Sequence, residues 1–232
     1  MYWHSVKKGP KIDYAKYSKG KPFYLRRFGK DSINNRWFPD PRLLTELIVT
    51  MDDDIFIENL EDIEDAFSVA KLHPDSLTGF FPRSHTFDGI NWGYEVASPL
   101  DYRKKRIYSM MITKFEFVPT KFLFYYSCLL PFEALEYIES IQNCEDILMS
   151  VIISGISMQP PVAVQPLGRI YDIGTDVSLA SRRISNSSNH LDSRSDCLTK
   201  LDNILGGLQL YTRRHSYNLF EKVPFTKSHR IP

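Results

Sequence analysis

Glu46-Leu47-Ile48-Val49-Thr50-Met51-Asp52-Asp53-Asp54 is the stretch whose reading decides the fold. Leucine, β-branched residues and methionine run without polar alternation, then stop abruptly at three aspartates. Such a run predicts a strand buried on both faces, as in a parallel sheet. Three adjacent carboxylates repel one another, and burying them without compensation is costly. They therefore belong at the carboxyl end of the strand, facing the crevice in which open α/β sheets bind ligands. Two readings stand open here. The triplet is either an exposed acidic turn or a place where a hard cation such as Mg²⁺ or Mn²⁺ bridges to a diphosphate.

Outward from this strand, Asn59-Leu60-Glu61-Asp62 opens a helix, with Asn59 as N-cap and acids in the first turn. Leu60, Ile63, Phe67 and Ala70 predict its apolar stripe, and His73-Pro74 its end. A short strand over 77–81 completes a strand–helix–strand crossover, the unit of an α/β domain. Another strand is expected over 108–117, with Met110, Ile112 and Phe115 as core candidates. A helix from Pro131 carries Leu135, Ile138 and Ile141, a second runs from Ile147 towards Ser154, and 162–164 reads as a strand. Lys7 to Lys30 is basic and rich in Gly and Pro, hence loop, with one short strand near Phe23-Tyr24-Leu25. Residues 174–196, rich in Ser, Asn and Arg, predict a mobile loop that orders when ligand binds.

The 232 residues suffice to bury a full core, and 43% hydrophobic with 25% charged residues is ordinary for a globular chain. A net charge of +1 excludes a strongly electrostatic nucleic-acid binder. Charge is nonetheless uneven. Residues 1–36 hold ten Lys or Arg against two Asp, and residues 46–65 hold nine acids with no Lys or Arg. The two either frame a site for phosphates and a cation or are solvated surfaces of opposite sign. Three cysteines are too few for a disulfide scaffold, and their spacing does not suggest zinc. The most apolar window, Phe115 to Phe132, is broken by Glu116, Pro119, Lys121 and Pro131, so no membrane span is expected within this chain, and no targeting segment is visible.

Asn143-Cys144-Glu145-Asp146 lies between two predicted helices, where its acids either cap the second helix or serve a reaction centre. Arg194, with Arg182 and Arg183 upstream, is either solvated or a bidentate partner for a diphosphate. Serine-hydrolase, phosphate-loop and dinucleotide signatures are absent, and no histidines stand in a His-x-x-x-His pair.

Taken in order, Ser32-Ile33-Asn34-Asn35-Arg36, the strand into Asp52-Asp53-Asp54, Gly79-Phe80-Phe81-Pro82-Arg83, Tyr108-Ser109-Met110, Asn143-Cys144-Glu145-Asp146-Ile147 and Leu210-Tyr211-Thr212 resemble the exostosin-like glycosyltransferase domain, family 64. The resemblance spans residues 1–220 as one domain and leaves 221–232 as a tail. It implies an α/β, nucleotide-sugar-binding, Rossmann-like fold of the GT-A type with a mixed, mainly parallel central sheet. It also implies a retaining transfer of N-acetylglucosamine, N-acetylgalactosamine or mannose from a nucleoside-diphosphate donor to a glycan or glycolipid acceptor. Mn²⁺ would be the cofactor, with Mg²⁺ a substitute, and the lumen of the Golgi or endoplasmic reticulum the expected location.

By the same resemblance, Asp54 ligates the metal, Asp52 and Asp53 contact the nucleoside and donor sugar, and Arg36 holds the nucleotide or sugar. Glu145 takes the position of the catalytic carboxylate, Asp146 binds the donor sugar, Arg194 clamps the diphosphate, and Cys144 and Cys197 match a disulfide pair. Three departures stand out. The chain begins at the domain's second strand, Lys114-Phe115 replaces a Gly-Ala found in several animal members, and Asp31 replaces a frequent Asn. The first departure makes a catalytically impaired relative or a truncated fragment, acting as a binding or partner module, the alternative expectation.

Overall fold

The computed structural model describes residues 2–4, 20, 24–97, 107–173 and 190–218. The tail at 221–232, Arg182 and Arg183, and most of the segment expected to be a mobile loop lie outside the described residues.

Strand β1 (Tyr2–His4) pairs in parallel with β2 (Tyr24–Arg26). A 3₁₀ turn at Ile33–Trp37 precedes β3 (Leu47–Met51), β4 (Ile55–Ile57) and helix α1 (Leu60–Leu72). Next come β5 (Thr78–Gly79), β6 (Pro82–Phe87), β7 (Trp92–Val96), β8 (Met110–Met111) and β9 (Phe115–Pro119). Helix α2 (Lys121–Phe124) runs into a π turn at Tyr125–Leu129, then α3 (Phe132–Ile141) and α4 (Glu145–Ser157). Strands β10 (Val162–Gln165) and β11 (Ile170–Asp172), helix α5 (His190–Leu205) and β12 (Tyr217–Asn218) complete the described chain.

The central sheet has the order β12-β10-β5-β9-β3. Its alternation sorts two cores. Phe115 and Phe117 of β9 and Val162 and Val164 of β10 pack with Ala66, Val69 and Ala70 of α1. Val118 and Ala163 face the other way, into the larger core of Trp37, Tyr108, Tyr126 and Leu148. Helices therefore cover both faces, the layered solution expected when each sheet face is apolar. All ten residues from Glu145 to Ser154 are buried, so α4 is an interior helix.

The sheet is mixed and mainly parallel in direction: β12, β10, β5 and β3 run the same way, and β9, inserted between β5 and β3, is antiparallel to both. The strand–helix–strand crossover from β3 to β5 is therefore kept. Three expectations need correction. β3 is an edge strand among the described residues, with Val49 50% and Met51 53% exposed, so its unbroken apolar run did not signal burial on both faces. The buried stripe of α1 is Asp62, Ala66, Val69 and Ala70, while Leu60 and Phe67 lie outward. Asp62 turns inward because its carboxylate accepts the Leu167 and Gly168 amides at 2.7 and 2.9 Å, closing the turn after β10. Finally, residues 108–117 split between two sheets, β8 pairing with β6 and β9 joining the central sheet.

Candidate active site

The site begins with a locked turn. Ser32 caps the 3₁₀ turn by accepting the Asn34 amide at 3.3 Å. Buried Asn34 donates to the Leu135 carbonyl at 3.0 Å and accepts the Tyr126 hydroxyl at 2.6 Å. Trp37, wholly buried, donates its indole N–H to the Glu145 carbonyl at 3.2 Å. With its neighbours anchored, Arg36 can reach in only one direction. Its Nη2 donates to Asp52 Oδ1 at 2.9 Å, and its Nη1 lies 3.7 Å from Glu145 Oε1. The carboxylates of Glu145 and Asp52 outweigh the cost of burial and hold the Arg36 pKa above its ordinary value.

The second part is the corner between α3 and α4. Gln142 (φ 49°) and Cys144 (φ 74°) both adopt the left-handed conformation, uncommon for such side chains and costly by about 1 kcal/mol or more each. The corner places Glu145 and Asp146 in the first turn of α4, where unpaired amides and the helix dipole favour negative charge. Asp146 accepts Arg194 Nη2 at 2.5 Å, and Asn143 accepts Arg194 Nη1 at 2.9 Å. The Arg194 guanidinium also lies over the Tyr94 ring, 4.6 Å from its centroid.

Arg194 is thus not on a mobile loop. It sits in α5, 7% exposed, on a buried face with Cys197, Leu198 and Leu201. Their spacing is helical, but the polar composition around them masked it. Cys144 and Cys197 are both wholly buried and side by side as free thiols, with burial and the neighbouring Cys144 raising the Cys197 pKa. The disulfide implied by the resemblance is not formed in this structure.

Glu145 carries the clearest electrostatic signature. Burial first, and Asp146 beside it second, push its carboxyl up to about 7, with Arg36 opposing. A carboxyl poised near neutrality in a site of charged neighbours is what acid–base or nucleophilic work requires.

The aspartate triplet forms the turn from β3 to β4, closed by the Ile55 amide donating to the Asp52 carbonyl at 3.3 Å. Asp52 joins Arg36, Asp53 points to solvent, and Asp54 is half-buried. The Oδ1 atom of Asp54 is buried without a hydrogen-bond donor. Burial and the charges of Asp172 and Asp52 raise its pKa, with Lys114 opposing. Asp172 is brought there by the pairing of β11 with β4, and its carboxylate forms an ion pair with Lys114. An orphaned carboxylate oxygen beside a second carboxylate fits a hard divalent cation. The fit is one-sided, since no cluster of three or more His, Cys, Asp or Glu able to hold an ion occurs among the described residues.

Arg36, Asp52, Glu145, Asp146 and Arg194 thus converge, while Asp54 opens a second centre with Asp172 and Lys114. Sequence reasoning missed Glu116, Asp172 and Tyr94. Glu116 left a trace, an acid between two phenylalanines in a predicted strand; Asp172 and Tyr94 left none.

Fold and site together define an α/β domain with a buried acid–arginine cluster where its acidic strand ends. The family model described as the glycosyl transferase family 64 domain matches residues 1–223, and the chain belongs to that family. It is 32% identical over 213 residues to glycosyltransferase family protein 64 C3 of Arabidopsis thaliana, covering 84% of this chain and 61% of that protein. It is 31% identical over 175 residues to glycosylinositol phosphorylceramide mannosyl transferase 1 of the same plant, covering 74% of this chain and 49% of that protein. It is 24% identical over 217 residues to human exostosin-2, covering 93% of this chain and 29% of that protein. The chain therefore spans from under a third to about three fifths of the length of these relatives.

Proposed function

We propose that this chain is the donor-binding and catalytic domain of a retaining, cation-dependent glycosyltransferase that uses a nucleoside-diphosphate sugar. The observation that carries the reading is the cluster of Arg36, Asp52, Glu145, Asp146 and Arg194, two cations and three acids gathered at one end of the sheet. Asp54, with its unsatisfied oxygen, is the protein ligand assigned to Mn²⁺. A cation held there supplies positive charge to the departing diphosphate. Arg36 orients the nucleotide side of the donor while keeping Asp52 and Glu145 apart. Arg194 neutralises Asp146, and its Nε, which has no acceptor, is the remaining donor for the diphosphate.

Glu145 is assigned the reacting side of the sugar. Its ionised form stabilises positive charge at the anomeric carbon, or attacks it with the diphosphate departing, so that two displacements retain configuration. Exclusion of water favours both roles, and the 5% exposure of Glu145 supports that environment. The name of the Arabidopsis relative, a glycosylinositol phosphorylceramide mannosyl transferase, favours a glycolipid acceptor over a protein-linked one.

Isothermal titration with UDP and GDP, with and without Mn²⁺, tests the reading. Binding of one nucleotide that requires Mn²⁺ and is lost in Asp54→Asn is the expected result. A cooperatively folded wild-type chain that binds neither nucleotide, or an unaffected variant, would overturn it.

A further inference from the structure

Glu116 has no role in the site as described, yet it is the most completely buried acid of the described chain, at 0% exposure. It stands in β9 directly opposite Thr50 of β3 on one side and Gly79 of β5 on the other. Alternation sends Phe115 and Phe117 to the α1 core, so Glu116 faces the opposite side, the side of Arg36 and α4. Asp52 follows the end of β3 directly, two residues after Thr50, which puts Glu116 one pair inward from the last pair of the strand, Met51 and Phe115. Gly79 makes the room: a β-carbon there would stand 2.4 Å from the Phe115 carbonyl oxygen and 3.1 Å from Glu116 Cβ.

Neither oxygen of Glu116 has a hydrogen-bond partner, and the same holds for Thr50 Oγ1, while Arg36 Nη1 has only the 3.7 Å ion pair with Glu145. Three orphaned buried atoms on one face are not a normal interior, where nearly all such groups are satisfied. Burial first, then Asp146, push its carboxyl well above the usual range, with Arg36 only partly opposing. In the protonated form a carboxyl presents both an O–H donor and a carbonyl acceptor.

We propose that Glu116 and Thr50 form the inner polar wall of the donor pocket and are specificity-determining residues for an uncharged, hydrogen-bonding substituent of the donor sugar. A hydroxyl or an acylamino group satisfies a neutral carboxyl and a hydroxyl in both directions. A uronic acid brings a further carboxylate to a site where Asp52, Glu145 and Asp146 already outnumber Arg36 and Arg194, and is disfavoured. The inference rests on the donor-site reading above, and its test separates the two.

The measurement is the ratio of Kd for the free nucleotide to Kd for the nucleotide sugar, by isothermal titration with Mn²⁺. The probes are UDP, UDP-N-acetylglucosamine, UDP-N-acetylgalactosamine and UDP-glucuronic acid, and GDP with GDP-mannose. In the wild-type chain one uncharged sugar is expected to tighten binding, and glucuronic acid to add nothing. Glu116→Gln, neutral and equally able to donate and accept, should keep that gain. Glu116→Ala and Thr50→Val should each reduce it by about fivefold, the worth of one net hydrogen bond, while leaving the free nucleotide's Kd unchanged. An unchanged ratio in Glu116→Ala, or equal losses for nucleotide and nucleotide sugar in both variants, overturns the inference alone. Absence of any nucleotide binding by the folded wild-type chain overturns the donor-site reading and this inference with it.

Discussion

Replacing Glu145 by Gln should abolish turnover at every pH and, only above a defined pH, make the protein more stable. The Glu145 carboxyl rises from 4.5 to about 7 on folding, chiefly through burial and next through Asp146. Between those values the folded chain binds a proton that the unfolded chain has released, so stability falls as pH rises through that window. About 2.5 pKa units at ~1.4 kcal/mol each give a cost of about 3 kcal/mol, complete above the upper value. Glu145 is 5% exposed, so solvent screening relieves little of it. Gln keeps the shape and neutral charge of the protonated form at every pH. The variant should match wild type near pH 4 and exceed it by about 3 kcal/mol at pH 8, roughly 6–12 °C in Tm for a chain of this size. Paired thermal melts across pH 4–8, with chemical denaturation at both ends, read this directly. A constant difference between the two proteins over that range would refute the argument, since no proton would then be linked to Glu145. Turnover of the donor should be lost in the variant at every pH.

Removing the Arg194 guanidinium, as in Arg194→Met, strands the Asp146 carboxylate in the interior and should cost about 3–5 kcal/mol in urea denaturation. Arg194→Lys should recover only part of this, because one ammonium cannot serve Asn143, Asp146 and the Tyr94 face together. Gly79→Ala should destabilise by about 2 kcal/mol or more, because the obstructing atom is backbone in the adjacent strand rather than a side chain that can turn away. Asp62→Ala leaves the Leu167 and Gly168 amides without their acceptor and should lower stability by about 2–4 kcal/mol, read from the same melts. Treatment with oxidised glutathione should remove two of the three thiols titratable after unfolding, and Cys144→Ser should abolish that loss; three thiols surviving in the wild-type chain would argue against the pair.

Several features were legible in the chain because their causes are local. The run from Leu47 to Met51 had to be a strand and the aspartates its end, since β-branched residues favour extended backbone and three carboxylates demand a turn near solvent. The start of α1 after Asn59 followed from first-turn acids, whereas α4 begins at Glu145, two residues before the expected Ile147. The ordered motifs identified the family. Other features could not be read locally. Whether β3 lies inside the sheet or at its edge depends on β9, which enters from about seventy residues away and antiparallel. The face that α1 buries was set by a distant need, the two amides of the turn after β10, which drew in Asp62 and left Phe67 outside.

The aspartate triplet shows the division most plainly. Sequence by itself determined that Asp52, Asp53 and Asp54 end a strand, because charge repulsion and strand propensity act between neighbours in the chain. Only the tertiary structure decided their separate fates: Asp52 held by Arg36, Asp53 in water, and Asp54 half-buried beside Asp172 with an oxygen left unpaired. The same holds for Glu116, an unremarkable acid in a strand until Gly79, Thr50 and the cluster around Arg36 close over it. A carboxyl's ionisation is fixed by the water and charges around it, and those come from segments the chain brings together only on folding.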